Sequence, residues 1–133
     1  YVTGANISEV SGTAVMTSGE SDSQCDVSIL FKEGMQGNLF ITVEFAEKSE
    51  LIIYGEQGKI QIPHFWRAQE MMITIDDKKE HIQLPHQNEF VFEVNHVNQC
   101  IKDGLLESPV MSADLTLQTV ELVEKMYQQW EQD

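Results

Sequence analysis

The densest run of chemistry-bearing side chains in this sequence is Pro63-His64-Phe65-Trp66-Arg67. A proline that sets a turn or a cis bond is followed by an imidazole, two large rings and a guanidinium, and rings beside a few polar donors make the wall of a small-molecule pocket. The same rings would also close one end of a core, and composition leaves both readings open. Glu93 and His96 share a helix face at i, i+3, half of what a metal site in a helical bundle needs, with no second pair. His81, on an expected strand, and His86, in a loop, lack partners at zinc-ligand spacing. Asp76-Asp77 belongs to a turn, where solvation explains paired carboxylates. Cys25 and Cys100 have no metal-ligand spacing and read as reduced, buried thiols of a cytoplasmic protein. There is no G-x-G-x-x-G after a strand, no P-loop, no nucleophile elbow and no H-E-x-x-H. The residues therefore assign no catalytic, cofactor-binding or metal-binding role.

The elements that must position these groups follow from hydrophobic period. The first two-thirds of the chain alternates with period two and the last third with period 3.6, the pattern of an α+β domain. A first strand is expected over residues 6–16. Cys25, Val27, Ile29 and Phe31 share one face of a second strand, and Leu39, Ile41, Val43 and Phe45 one face of a third. The opposite face carries Leu30, Phe40 and Thr42, more apolar surface than a solvated sheet needs. Leu51 to Tyr54 and Lys59 to Ile62 form a hairpin around Gly55-Glu56-Gln57-Gly58. Met71 to Ile75 and His81 to Leu84 form another around the charged turn Asp76 to Glu80. From Glu89 the period changes, and Phe90, Val94, Val97 and Ile101 line one side of a helix stopped by Gly104. Ser112 caps a last helix with Leu115, Thr119, Leu122, Met126 and Trp130 on one face. The expected architecture is an open, mainly antiparallel sheet of six or seven strands with two C-terminal helices packed on one face.

With 133 residues, 8 basic and 22 acidic, the chain carries a formal charge of −14. One domain over residues 1–133 is the expectation for that length. Surface scaling leaves roughly 7,000 Å² exposed out of about 22,000 Å² for the unfolded chain, enough burial for a core without staples. Like-charge repulsion opposes phosphate backbones and anionic lipid, so neither nucleic acid nor membrane is an expected partner.

Two stretches together resemble a known family. The run from Gly55-Glu56-Gln57-Gly58 to Pro63-His64-Phe65-Trp66, and the helix from Glu93 to Gly104 followed by Leu105-Leu106-Glu107-Ser108-Pro109, are similar to the C-terminal domain of the Gfo/Idh/MocA oxidoreductases, within them the dihydrodiol dehydrogenase-like branch. The resemblance runs through nearly all of the chain in order. It implies the substrate and dimerisation half of an enzyme whose Rossmann domain, with a catalytic lysine in a Glu-Lys-Pro motif, is absent from this chain. Glu47-Lys48-Ser49 lacks that proline and reads as solvated charge. NAD or NADP would serve the full-length enzyme, none would bind this chain alone, and the isolated chain would be inactive. The substrate implied is a sugar, polyol or cyclic diol, met by His64, Phe65, Trp66 and Arg67 through shape, stacking and hydrogen bonds. Phe90 and Phe92 are weaker candidates. A homodimer through the open sheet face would use Leu30, Phe40 and Thr42. The alternatives are a non-catalytic interaction or scaffold module, and a small-ligand carrier with the same fold.

Overall fold

A computed structural model describes residues 3–131. Seven strands and two helices follow in the order β1 (Ile7–Met16), β2 (Asp22–Phe31), β3 (Gln36–Thr42), β4 (Glu50–Gly55), β5 (Gly58–Pro63), β6 (Glu70–Ile75), β7 (Lys78–Gln83), α1 (Phe90–Lys102) and α2 (Ala113–Trp130). Every strand pairing is antiparallel. The α+β class, the strands and the two C-terminal helices are those the periodicity predicts, with the strands divided between a three-stranded sheet β1-β2-β3 and a four-stranded sheet β4-β5-β6-β7. No helix among the described residues is long and apolar enough to cross a membrane.

The chain forms two compact units, the first taking in the chain up to Ala46 and from Pro109 onward. Its register stacks Val10, Gly12 and Ala14 of β1 beside Ile29, Val27 and Cys25 of β2 on one face. Helix α2 packs against β1, and Val10, Cys25 and Met126 are buried. Gly12 permits this approach: a Cβ there would stand 2.3 Å from the Asp26 carbonyl oxygen and 3.1 Å from Met126 Cε. The expected cap is present, since Ser112 is extended and its Oγ accepts from the Leu115 N–H at 3.2 Å, satisfying one of the open donors of the first turn. Near the other end, the Tyr127 hydroxyl donates to Asp22 Oδ1 at 2.5 Å.

β3 stops at Thr42, short of the expected Phe45. The Glu44 N–H bonds back to Thr42 Oγ1 at 3.1 Å, a side-chain turn that competes with strand continuation. Phe45 consequently leaves its expected face and stacks with Phe40, centroids 6.2 Å apart.

The second unit, Glu47–Ser108, is a meander. Gly58 lets β6 approach, for a Cβ there would lie 2.0 Å from the Thr74 carbonyl oxygen. The charged turn shrinks from the expected five residues to two, because Asp76 and Asp77 both take positive φ (47° and 63°) and Ile75 pairs with Lys78. Such a pair matches the right-handed twist of the strands it joins. Helix α1 ends as expected at Gly104 (φ 68°), with the Leu105 N–H bonding the Cys100 carbonyl and the Gly104 N–H that of Ile101, a Schellman cap. Its apolar stripe is left open: Phe90, Val94, Val97 and Ile101 are each more than half exposed. Cys100, expected to be buried, is partly exposed, and both cysteines are free.

The accessible surface is 10771 Å², well above the roughly 7,000 Å² expected for a compact chain of this mass. Even two separate compact units of half the mass each would expose only about 8,600 Å² together. Exposed apolar side chains, among them those of α1 and β3, contribute to the excess.

Candidate functional site

His64 follows β5 and sits in the left-handed region (φ 47°, ψ 47°) at the start of a single 3-10 turn, Phe65–Arg67. Its N–H donates to the Ser49 carbonyl at 2.6 Å, and the Arg67 N–H to the His64 carbonyl at 2.8 Å. A non-glycine residue held at such a φ is strained and persists only where its surroundings impose it. Here the Ser49 bond and the turn do so, throwing the four side chains off the end of the sheet. All four are exposed, Phe65 and Trp66 by more than half. The Arg67 guanidinium carbon lies 4.5 Å from the centre of the Trp66 ring, a cation–π contact that orients the charge.

Beside this turn opens a cleft of about 580 Å³ lined by Pro63, His64, Arg67, Gln69, Glu70, Gln83, Pro85, Gln87 and Glu89. Its floor is a cross-strand pair, Glu70 opposite Gln83, and the Glu70 carboxylate is held by His81 Nε2 at 2.7 Å. One wall is Pro63, His64, Arg67 and Gln69; the facing wall is the segment after β7. His64 and Arg67 are thus brought together in the cleft, whereas Phe65 and Trp66 lie outside its lining, Trp66 touching it through Arg67. The lining is rich in amides and carboxylates with two prolines as apolar steps. It offers donors and acceptors at several heights, the chemistry a hydroxyl-rich ligand requires.

Six lining residues escape a reading by periodicity: Gln69, Glu70, Gln83, Pro85, Gln87 and Glu89. The available signal is the alternation after β7. Pro85, Gln87 and Glu89 face the cleft, while Leu84, His86 and Asn88 make the anchoring bonds. The Leu84 N–H donates to the Gln69 carbonyl at 2.7 Å, and Asn88 Oδ1 accepts from the Phe90 N–H at 2.9 Å. The N-cap residue of α1, Glu89, makes no side-chain cap bond, and Asn88 before it takes up the first helical N–H. His96 Nε2 lies 2.8 Å from Ser108 Oγ and 3.5 Å from Cys100 Sγ, and no group of three metal-ligating side chains exists among the described residues.

The second candidate surface is the outer face of the three-stranded sheet. Leu30 and Phe40 are exposed there and Thr42 is half-buried. In register, Phe40 stands opposite Asp26 and Thr42 opposite Gln24. Glu9 and Asp26 are the only charged residues of the rows running from Glu9–Leu30–Gln36 to Val15–Gln24–Thr42.

No family model matches the chain. In sequence it is 30% identical over 100 residues to the trans-1,2-dihydrobenzene-1,2-diol dehydrogenase of Xenopus laevis, a match spanning 68% of this chain and 30% of that protein. In fold it is similar to an aldose-aldose oxidoreductase from Caulobacter crescentus solved with glycerol (TM-score 0.80, 20% identity, 96% of this chain and 40% of that one). It is also similar to a 3-ketoreductase from Actinomadura kijaniata solved with TDP-benzene and NADP (TM-score 0.70, 16% identity, 91% of this chain and 39% of that one). The chain spans well under half the length of each of these proteins. Together with a fold shared with two oxidoreductases, the sequence likeness to a diol dehydrogenase shows that the chain belongs to the Gfo/Idh/MocA oxidoreductase family, as a C-terminal-like domain.

Proposed function

We propose that this chain is the substrate-binding and dimerisation half of an NAD(P)-dependent oxidoreductase acting on a sugar, polyol or cyclic diol. The observation that carries the reading is the amide-rich cleft built by the strained turn at His64. Arg67, steadied by Trp66, and Gln69, Gln83 and Gln87 would bind substrate hydroxyls, while Trp66 and Phe65 would cover an apolar ring face from the rim. A diol dehydrogenase as sequence relative supports the substrate class, and a structural neighbour solved with NADP supports the cofactor of the full-length enzyme. The nucleotide, the hydride acceptor when bound, would be held by the Rossmann domain that the family resemblance implies. This chain's residues bind and orient substrate, and the chain alone is inactive. Free cysteines fit a reducing, cytoplasmic setting.

Dimerisation through Leu30, Phe40 and Thr42 is supported by the exposed apolar side chains of Leu30 and Phe40 on the outer sheet face. The rows of that face carry two acids, Glu9 and Asp26, and no basic residue, so two copies must meet in a register that keeps these carboxylates apart. The added Phe40–Phe45 stack supplies an exposed aromatic anchor.

The test is turnover. The chain fused behind a nucleotide-binding domain from the diol dehydrogenase relative should reduce NAD⁺ or NADP⁺ in the presence of a trans-diol, polyol or sugar. Trp66→Ala and Arg67→Ala should each raise KM about tenfold or more, the loss of one stacking or charged contact. Turnover by the isolated chain would sink this assignment of parts. Saturable diol binding by the isolated chain, lost in Trp66→Ala, would instead make it a ligand carrier.

A further inference from the structure

His86 is not itself a lining residue of the cleft, yet it ties the segment after β7 to the end of the 3-10 turn. Its Nε2 stands 3.2 Å from the Ala68 carbonyl oxygen, and in return Gln69 Nε2 donates to the His86 carbonyl at 3.2 Å. A carbonyl only accepts, so the Ala68 contact requires the proton on Nε2. The other ring nitrogen, Nδ1, is buried without a hydrogen-bond partner in the structure. The ring is backed edge-on by Phe92 of α1, centroids 5.3 Å apart. The reciprocal pair bridges seventeen and eighteen positions of sequence. Among the described residues it is a longer-range tie than the Leu84–Gln69 contact of the same connection.

We infer that His86, as the Nε2–H tautomer, is a positioning residue that sets the width of the cleft by clamping the 84–89 segment to the end of the 3-10 turn. The use of that cleft for substrate rests on the proposed function, but the clamp itself does not. Alternation makes the coupling direct: with His86 and Asn88 tethered, Pro85, Gln87 and Glu89 are held facing Arg67 and Gln69. When the tether is cut, the facing wall loses its register with the turn while the sheet below is untouched.

The test is made on the chain by NMR and amide exchange, with no ligand needed. In the wild type, ¹⁵N shifts of the His86 ring should show protonated Nε2 and bare Nδ1 at neutral pH. His86→Leu, which keeps bulk but removes the donor, should speed exchange of the Leu84 and Phe90 amides about tenfold and leave Ile53 and Ile60 in β4 and β5 unchanged. His86→Gln, whose Nε2 can reach the same carbonyl, should restore protection. Gln69→Ala should loosen the same amides without disturbing the ring tautomer. A protonated Nδ1 with bare Nε2 in the wild type overturns the proposal, as does unchanged Leu84 exchange in both His86→Leu and Gln69→Ala. Should His86→Leu fail to fold, the wild-type tautomer and Gln69→Ala decide alone. If the clamp passes while the fused enzyme shows no substrate dependence on Arg67, the positioning role stands and the substrate reading falls.

Discussion

The two units achieve order by different means. Every buried residue among those described lies in the first: Val10 of β1, Ser23 and Cys25 of β2, and Met126 of α2. The second buries none, and the helix that ends it shows its apolar stripe to solvent. The first unit rests on packing, which is worth several kcal/mol per buried side chain. The second rests on hairpin chemistry and side-chain tethers, each worth about 1 kcal/mol. The difference separates a scaffold from a surface: the unit that presents the cleft is the one whose own core is thinnest, as binding elements tend to be drawn from the less stable parts of a fold.

The two tryptophans fall one in each unit, Trp130 in the first and Trp66 in the second, so fluorescence of Trp66→Phe and Trp130→Phe backgrounds reads the units separately. The largest contrast should come from truncation. Met126→Ala should destabilise the first unit by about 3 kcal/mol, whereas Ile101→Ala, in the open stripe of α1, should cost the second less than about 0.5 kcal/mol. Equal losses in urea unfolding would erase the distinction between the units. Gly12→Ala comes next, at about 2 kcal/mol, since its Cβ must displace backbone at Asp26. A smaller effect of opposite sign is expected in the second unit: Asp77→Gly should stabilise it by about 1 kcal/mol by relieving a left-handed aspartate in the β6–β7 turn, seen through Trp66 alone.

The smallest effect is a pH dependence confined to the first unit. The hydrogen bond to Asp22 holds the Tyr127 phenol above its ordinary pKa, with desolvation adding to it. Burial, reinforced by the Asp22 charge, raises the Cys25 thiol. A raised folded-state pKa means stability fully present below the unfolded value and lost as pH climbs through the folded one. The first unit should therefore weaken from about pH 9 upward, the range where free thiols and phenols begin to ionise. Tyr127→Phe should flatten the dependence of its urea midpoint on pH, and an unchanged slope would argue against the Asp22 bond.

Much of this was readable in the chain itself. The β4–β5 hairpin declares itself by glycine at both ends, α1 by its 4-3-4 apolar spacing and its glycine stop, and α2 by Ser112, because each signal is local. The end of β3 lies hidden in the sequence because Thr42 accepts from the Glu44 N–H, a polar choice that an apolar alternation through Phe45 conceals. The two-residue turn is hidden because two aspartates take positive φ, a role more often filled by glycine or asparagine. The cleft was half visible. His64 and Arg67 stand in a conspicuous run, but Gln87 and Glu89 line the cleft on a segment that His86 ties to Ala68 and Gln69, and no local period records a tie of that span.

The central claim is that this chain is built to be covered, on its outer sheet face by a second copy of itself. Sedimentation equilibrium over the micromolar range tests it most directly, comparing wild type with Phe40→Asp, which adds a charge to that face without touching the core. The account predicts a wild-type dimer and a monomeric variant with unchanged unfolding of the first unit. A wild type that stays monomeric throughout, or a Phe40→Asp dimer as tight as the wild type, would contradict it.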